Sequence, residues 1–261
     1  MGLLIRYDIK NGILLRWKLY LPLLLVPFLF GAALAFPESP PGFIEGLLHY
    51  FRGMGIFDPG TNQEFTIPFS WLLFQLYVLF LTSSYPIRDL NQSGIQLFIR
   101  TGQRNKFWGS KCIWNLCTVL ISWLLYLVGI ALVVLLGKGS LLEGVDAERV
   151  LQLSGLMVEG ISTGKLLFCS LVLPLVSLIA MGTLQQALSL FWKDLPSYVA
   201  TVVLLCASAF WCTPFLIGNH SMLLRTLYGD WLLTALIVDV LVIAVSLMVG
   251  FKKFSKFDIL G

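Results

Sequence analysis

The chain has 261 residues, of which 57% are hydrophobic and only 12% charged, with a mean hydropathy of +0.85 and a formal net charge of +4. A soluble domain carries about a quarter charged residues, so this composition excludes an ordinary soluble enzyme and points to a polytopic membrane protein. The small positive charge is no nucleic-acid signature, because its distribution follows membrane topology.

The opening "MGLLIRYDIKNGILLRWKLY" spreads its basic residues along the segment instead of clustering them before a short apolar core, so no cleavable signal is expected. Arg6 at the sixth position argues against N-myristoylation. Residues 1–18 read as an amphipathic interfacial helix, with Leu3, Tyr7 and Leu14 on one side and Arg6, Lys10 and Arg16 around it.

About twenty apolar residues cross a bilayer core. Six segments qualify: Leu19–Phe36, Phe69–Ile87, Cys112–Leu136, Leu166–Phe191, Tyr198–Ile217 and Trp231–Phe251. An even number puts both termini on one side. Placing them in the cytoplasm leaves only Arg52, Lys138, Arg149, Lys165 and Arg225 of the 18 basic residues outside, along with most acids. The expected fold is therefore an all-α polytopic membrane protein of one domain: 1–18 interfacial, 19–251 a six-span bundle, 252–261 a basic cytoplasmic tail.

Two outer loops carry helical spacing. "FIEGLLHYF" in Pro37–Pro68 repeats Phe43, Leu47 and Phe51, and "DAERVLQLSGLMVEG" in Gly137–Lys165 repeats Val150, Leu153 and Met157. Both predict short helices lying along the outer interface. "GISTGK" (Gly160–Lys165) imitates a phosphate-binding loop, but the spacing is short and Leu166 stands where a magnesium-binding Ser or Thr is needed. The chain itself is not expected to hydrolyse nucleotide. His49 and His220 fall in predicted outer loops, away from paired carboxylates, and no serine sits in a nucleophile elbow, so enzymatic chemistry is not expected. The five cysteines lie in apolar runs without C-x-x-C spacing, which suggests neither disulfides nor a metal site.

Inside the spans, Asp239 is costly to bury and must face protein, a cavity or a partner. Asp239, Gln75 and Gln185 are candidates for a translocation path or gate; inter-helix hydrogen bonding is the other reading, and the better one for Gln75, Asn115, Gln185 and Gln186. Pro22, Pro27 and Pro174 predict bends.

Between the second and third spans, "GIQLFIRTGQRNKFWGSK" follows Ser93, which with Gln96 makes a capping box, and Gly102 supplies a stop. The helix between them would present Ile95, Phe98 and Ile99 on one face and Gln96, Arg100 and Gln103 on another. Asn105 would open the third span, with Lys106, Phe107 and Trp108 at headgroup level.

Together with "FKKFSKFDIL" at the tail (Phe251–Leu260) and the Thr-Gly, basic turn and Gly-x-Lys of "RTGQRNKFWGSK", these features resemble the ABC-2 type permease family of ATP-binding cassette exporters. The resemblance implies a coupling helix whose Gln96, Phe98, Ile99, Arg100 and Arg104 meet a separate ATPase subunit, and a connecting helix carrying Arg6, Tyr7 and Lys10. It further implies a second permease chain, identical or homologous, with membrane lipids around both. ATP and magnesium would be held by the partner ATPase, with no cofactor on this chain and no nucleic-acid partner. The setting would be a bacterial cytoplasmic membrane, and the cargo amphipathic: an antimicrobial peptide, a drug or a lipid-like molecule. The short loop Gly218–Asp230 departs from members that elaborate this loop. The alternative is a non-transporting membrane scaffold or immunity protein that binds a cytoplasmic partner through the same helix.

Overall fold

The computed structural model describes residues 1–35, 40–57, 60, 65, 67–83, 85–90 and 103–256. In chain order its helices are α1 (Gly2–Gly12), a 3-10 segment (Leu14–Tyr20), α2 (Leu21–Phe30), α3 (Ala32–Ala35), α4 (Phe43–Tyr50), α5 (Phe69–Ser83) and α6 (Tyr85–Leu90). There follow α7 (Arg104–Leu136), α8 (Ala147–Ser154), α9 (Thr163–Leu167) and a π-helical turn (Phe168–Val172) that leads into α10 (Leu173–Trp192). The last are α11 (Asp194–Phe210), a 3-10 segment (Ile217–Ser221), α12 (Leu223–Thr226) and α13 (Leu232–Ser255). The coupling helix expected over residues 94–102, including Gln96, Phe98, Ile99 and Arg100, lies outside the described residues, as does the 257–261 tail.

Among the described residues, three helices are long and apolar enough to cross a membrane: α7, the run from α9 through α10, and α13. A fourth crossing forms if α1 and Leu14–Phe30, bent by 43°, count as one broken span. The apolar helices α5 and α11 are shorter, at 15 and 17 residues. The chain is a membrane-embedded helical protein.

Apolar side chains face both ways, as a lipid solvent requires. On α7, Leu116, Leu120, Leu124, Val128 and Leu132 form an exposed stripe at four-residue spacing, while Trp114, Asn115, Thr118, Ser122 and Tyr126 are buried behind it. On α13 the exposed Ile237, Leu241, Val245 and Met248 oppose a buried row of Ala235, Asp239, Ser246, Gly250 and Phe254. Small residues let backbones approach where lipid supplies no hydrophobic drive: a Cβ on Gly250 would lie 2.9 Å from Trp108 Nε1.

Several boundaries differ from those the hydropathy predicts, each for a local reason. The first span is interrupted at Gly31, leaving α2 at Leu21–Phe30, and the 3-10 segment before it kinks at Arg16 (φ −114°, ψ 17°); Pro22 sits harmlessly in the first turn of α2. The third span starts at Arg104, and its 33 residues reach about 50 Å at 1.5 Å per residue. Phe107 and Trp108 are buried rather than at headgroup level, stacked on Phe254 with centroids 6.0 and 5.1 Å away and packed with Leu4. The start of α7, the end of α13 and α1 thus meet at one end of the molecule, with Arg104 Nη1 donating to Ser255 O at 2.9 Å. Pro174, with no N–H to donate, coincides with the π turn in the fourth span.

The first outer helix is packed into the bundle. In α4 and the residue after it, Leu47, Leu48, Tyr50 and Phe51 are fully buried. Phe51 packs against Trp123 at 5.1 Å, beside the stacked pair Phe74–Tyr126 at 4.0 Å. The second outer helix, α8, stops at Gly155 in the left-handed conformation (φ 68°), so Met157 leaves the expected stripe and is 69% exposed. Glu45 of α4 accepts from the Asp146 amide at 2.9 Å and pairs with Arg149 at 3.3 Å, which locks the two outer helices together.

Candidate functional site

At the end where α1 meets α7, three ionisable side chains are buried together. Lys111 Nζ lies 2.5 Å from Asp8 Oδ1 and 2.5 Å from Asp89 Oδ2. Tyr85 OH donates to Asp8 Oδ1 at 3.0 Å, and Tyr7 OH to Asp89 Oδ1 at 3.4 Å. The ammonium also sits 4.7 Å from the ring centroids of Tyr85 and Phe107. α1 presents Leu4, Asp8 and Gly12, one turn apart, to this site. Leu3 and Leu14, on the apolar side expected of this segment, are 84% and 62% exposed and face away from the cluster. Gly12 allows the approach: a Cβ there would lie 2.1 Å from Trp114 Nε1. Two carboxylates against one ammonium give the cluster a formal charge of −1.

Through the middle of the bundle runs a set of buried amides centred on α10. Asn115 Nδ2 donates to Gly182 O at 2.9 Å and to Gln186 Oε1 at 2.8 Å. Gln185 Nε2 donates to Leu79 O at 2.8 Å, while its Oε1 accepts from Thr201 Oγ1 at 2.8 Å. One glutamine therefore joins α5, α10 and α11.

The opposite end holds a segment that the sequence reading placed in a loop. The fifth span was expected to run to Ile217, but α11 ends at Phe210 and the chain folds back as a 3-10 turn, Ile217–Ser221, with every residue buried. His220 Nδ1 is 2.8 Å from Asp239 Oδ1, and its Nε2 is 3.0 Å from Pro214 O. A carbonyl only accepts, so Nε2 carries a proton, and Nδ1 and Oδ1 share a second one; the pair is electrically neutral in either arrangement. Ser221 Oγ accepts from Trp71 Nε1 at 2.7 Å and from Gln75 Nε2 at 3.2 Å. Asn219 Nδ2 donates to Trp211 O and Thr213 O, both at 2.8 Å.

Arg225 fixes this segment. It is 2% exposed, and its guanidinium donates to Met54 O and Gly55 O at 3.1 Å, to Ala209 O at 2.8 Å, and to Ser208 O and Asn219 Oδ1. Ser208 and Ala209 end α11, so the cation caps the carbonyls of that helix terminus.

The residues singled out in the sequence fall into distinct places. Gln75 and Asp239 are brought to adjacent residues of one segment, Ser221 and His220, whereas Gln185 is tied to a different stretch of α5. Tyr7 reaches the buried acid cluster, while Arg6 and Lys10 on the same helix are exposed. Arg104 holds the end of α13. Sequence reasoning missed Asp8, Asp89 and the burial of Lys111, which was counted only as a topology charge. It also missed His220 as the partner of Asp239; the polar run "GNHS" after an apolar stretch was the available signal.

No protein-family model, curated protein or solved structure matches this chain.

Proposed function

We propose that the protein is the membrane-embedded permease subunit of an ABC exporter, a six-span bundle with both termini in the cytoplasm. Two such chains, identical or homologous, would be driven by separate ATPase subunits to move an amphipathic substrate outward. The observation that supports this reading is the grip of Lys111 on both Asp8 and Asp89. It joins the N-terminal helix, the base of α7 and α6, the last described helix before residues 91–102. A push delivered to that connection would move α1 and α7 as one body, which is what a transmission element needs. The exposed apolar face of α13 suits lipid or a second permease chain.

The test uses the intact protein co-expressed with an ATPase encoded beside it. The double variant Phe98→Ala/Arg100→Glu should insert normally and lose the co-purifying ATPase. Undiminished co-purification overturns the coupling role.

A further inference from the structure

Where the 3-10 segment after α1 passes α5 and α6, a cleft of about 90 Å³ is lined by Gly12, Arg16, Leu19, Tyr85, Arg88 and Trp114, among others. Among the described residues, no carboxylate lines it. Three of its donors have no acceptor among the described residues. Arg88 Nε is buried without a hydrogen bond. Trp114, 1% exposed, has an indole N–H with no partner, at the wall beside Gly12. The Arg16 guanidinium makes no ion pair there and rests 5.6 Å from the Tyr85 ring, carried out of the helical line by its backbone (φ −114°, ψ 17°). The nearest acids, Asp8 and Asp89, are engaged by Lys111 on the other side of Tyr85.

Two guanidinium groups and an indole N–H lining one cleft without an acceptor among the described residues suit a tetrahedral oxyanion, which takes several charge-assisted hydrogen bonds at once. The mouth of the cleft is apolar, with Leu19 and Phe80 44% and 49% exposed. Trp17, 55% exposed, is close by in sequence. Such a rim fits acyl chains below a charged headgroup.

We propose that this cleft binds the phosphate of an anionic phospholipid, with Arg16, Arg88 and Trp114 on the phosphate and Leu19 and Phe80 along the chains. The inference is independent of the transport reading: an exporter and a scaffold would hold the lipid equally well.

The experiment takes the full chain, delipidated in detergent, and measures thermal unfolding and native mass spectra after adding phosphatidylglycerol, phosphatidylcholine or inorganic phosphate. Phosphatidylglycerol should stabilise the protein and bind at least tenfold more tightly than phosphatidylcholine, whose phosphate is the same but whose choline cation is set against Arg16 and Arg88. Arg16→Gln/Arg88→Gln should weaken phosphatidylglycerol binding at least tenfold. Trp114→Phe keeps an aromatic ring but loses the N–H together with the five-membered ring, so it should weaken binding severalfold even if the double variant folds poorly. Lys18→Gln removes an exposed cation outside the cleft and should leave binding unchanged. Equal losses in Lys18→Gln and the arginine variant would overturn the site in favour of diffuse surface attraction. Equal binding of phosphatidylcholine would overturn the anion requirement. Equal protection by inorganic phosphate alone, with the same arginine dependence, would overturn the lipid as the source of the phosphate.

Discussion

Replacing Lys111 by methionine keeps an unbranched stem but leaves Asp8 and Asp89 facing each other with no cation between them. Breaking a buried ion pair from one side typically costs 3–5 kcal/mol, and here two carboxylates are stranded, so a loss of about 4 kcal/mol is expected for Lys111→Met. Asp8→Asn should behave in the opposite way. It removes the excess negative charge, leaves a neutral Lys111–Asp89 pair, and retains an oxygen for Tyr85, so stability should change by less than about 1 kcal/mol. Denaturant unfolding of both variants in micelles checks the contrast; equal losses would refute the charge count. Lys193 makes a different residue-scale point. It joins α10 to α11 alone, at φ 66° and ψ −176°, a conformation that costs a residue with a Cβ about 1–3 kcal/mol. Its side chain is exposed. Lys193→Gly should therefore stabilise the protein by about 1 kcal/mol, and Lys193→Ala should not, in the same unfolding assay.

At the scale of an element, α11 is held at each end by a charge. Arg225 caps its C-terminal carbonyls, and Asp194 occupies its first turn, where the helix dipole favours an anion. Burial nonetheless pushes the Asp194 carboxyl up to about 6 from its usual value. A raised carboxyl pKa means that the fold favours the protonated form. The contribution to stability is complete below the unfolded value near 4 and is lost as pH rises through about 6. Asp194→Asn should accordingly raise stability at pH 7.5 by about 1 kcal/mol, discounted for partial solvent exposure, and change nothing at pH 4. A gain that did not depend on pH would show that burial of the charge is not the cause. The elements themselves were unequally legible. Long apolar runs gave α7, α10 and α13 almost to their ends, because lipid burial is written in hydropathy alone. The fold-back at Ile217–Ser221 was not legible, since burying Ser221 and His220 also depends on Trp71, Gln75 and Asp239, which belong to other helices. The face that α1 packs on α7 was not legible for the same reason. Asp8 counts as polar until Lys111 is placed against it, and Gly12 counts as neutral until Trp114 occupies the space.

For the molecule as a whole, the arrangement is of a lever fixed to a stiff bundle. α1 packs along α7 through Asp8, Gly12 and Leu4, while the Gln185 and Asn115 hydrogen bonds tie α5, α7 and α11 to α10. On the permease reading, motion imposed at the basic end enters the bundle through α1 as well as through α7. Gly12 is the place to unseat α1. A Cβ there would lie 2.1 Å from Trp114 Nε1, so either the indole, tilted against Tyr85 with centroids 4.5 Å apart, or α1 itself must shift. Overpacking of this kind costs about 1–3 kcal/mol, enough to displace α1 without unfolding spans whose stability resides in α7, α10 and α13. If the permease reading holds, Gly12→Ala should leave the ATPase bound through residues 91–102, yet reduce substrate-dependent ATP turnover about tenfold, the factor that corresponds to 1.4 kcal/mol. Reconstituted complex, assayed for ATPase association and substrate stimulation in parallel, separates the two effects. Retained stimulation in a variant whose α1 has demonstrably shifted, by cysteine accessibility at position 4 or 8, would mean that α1 is a strut and that the push enters the bundle through α7 alone.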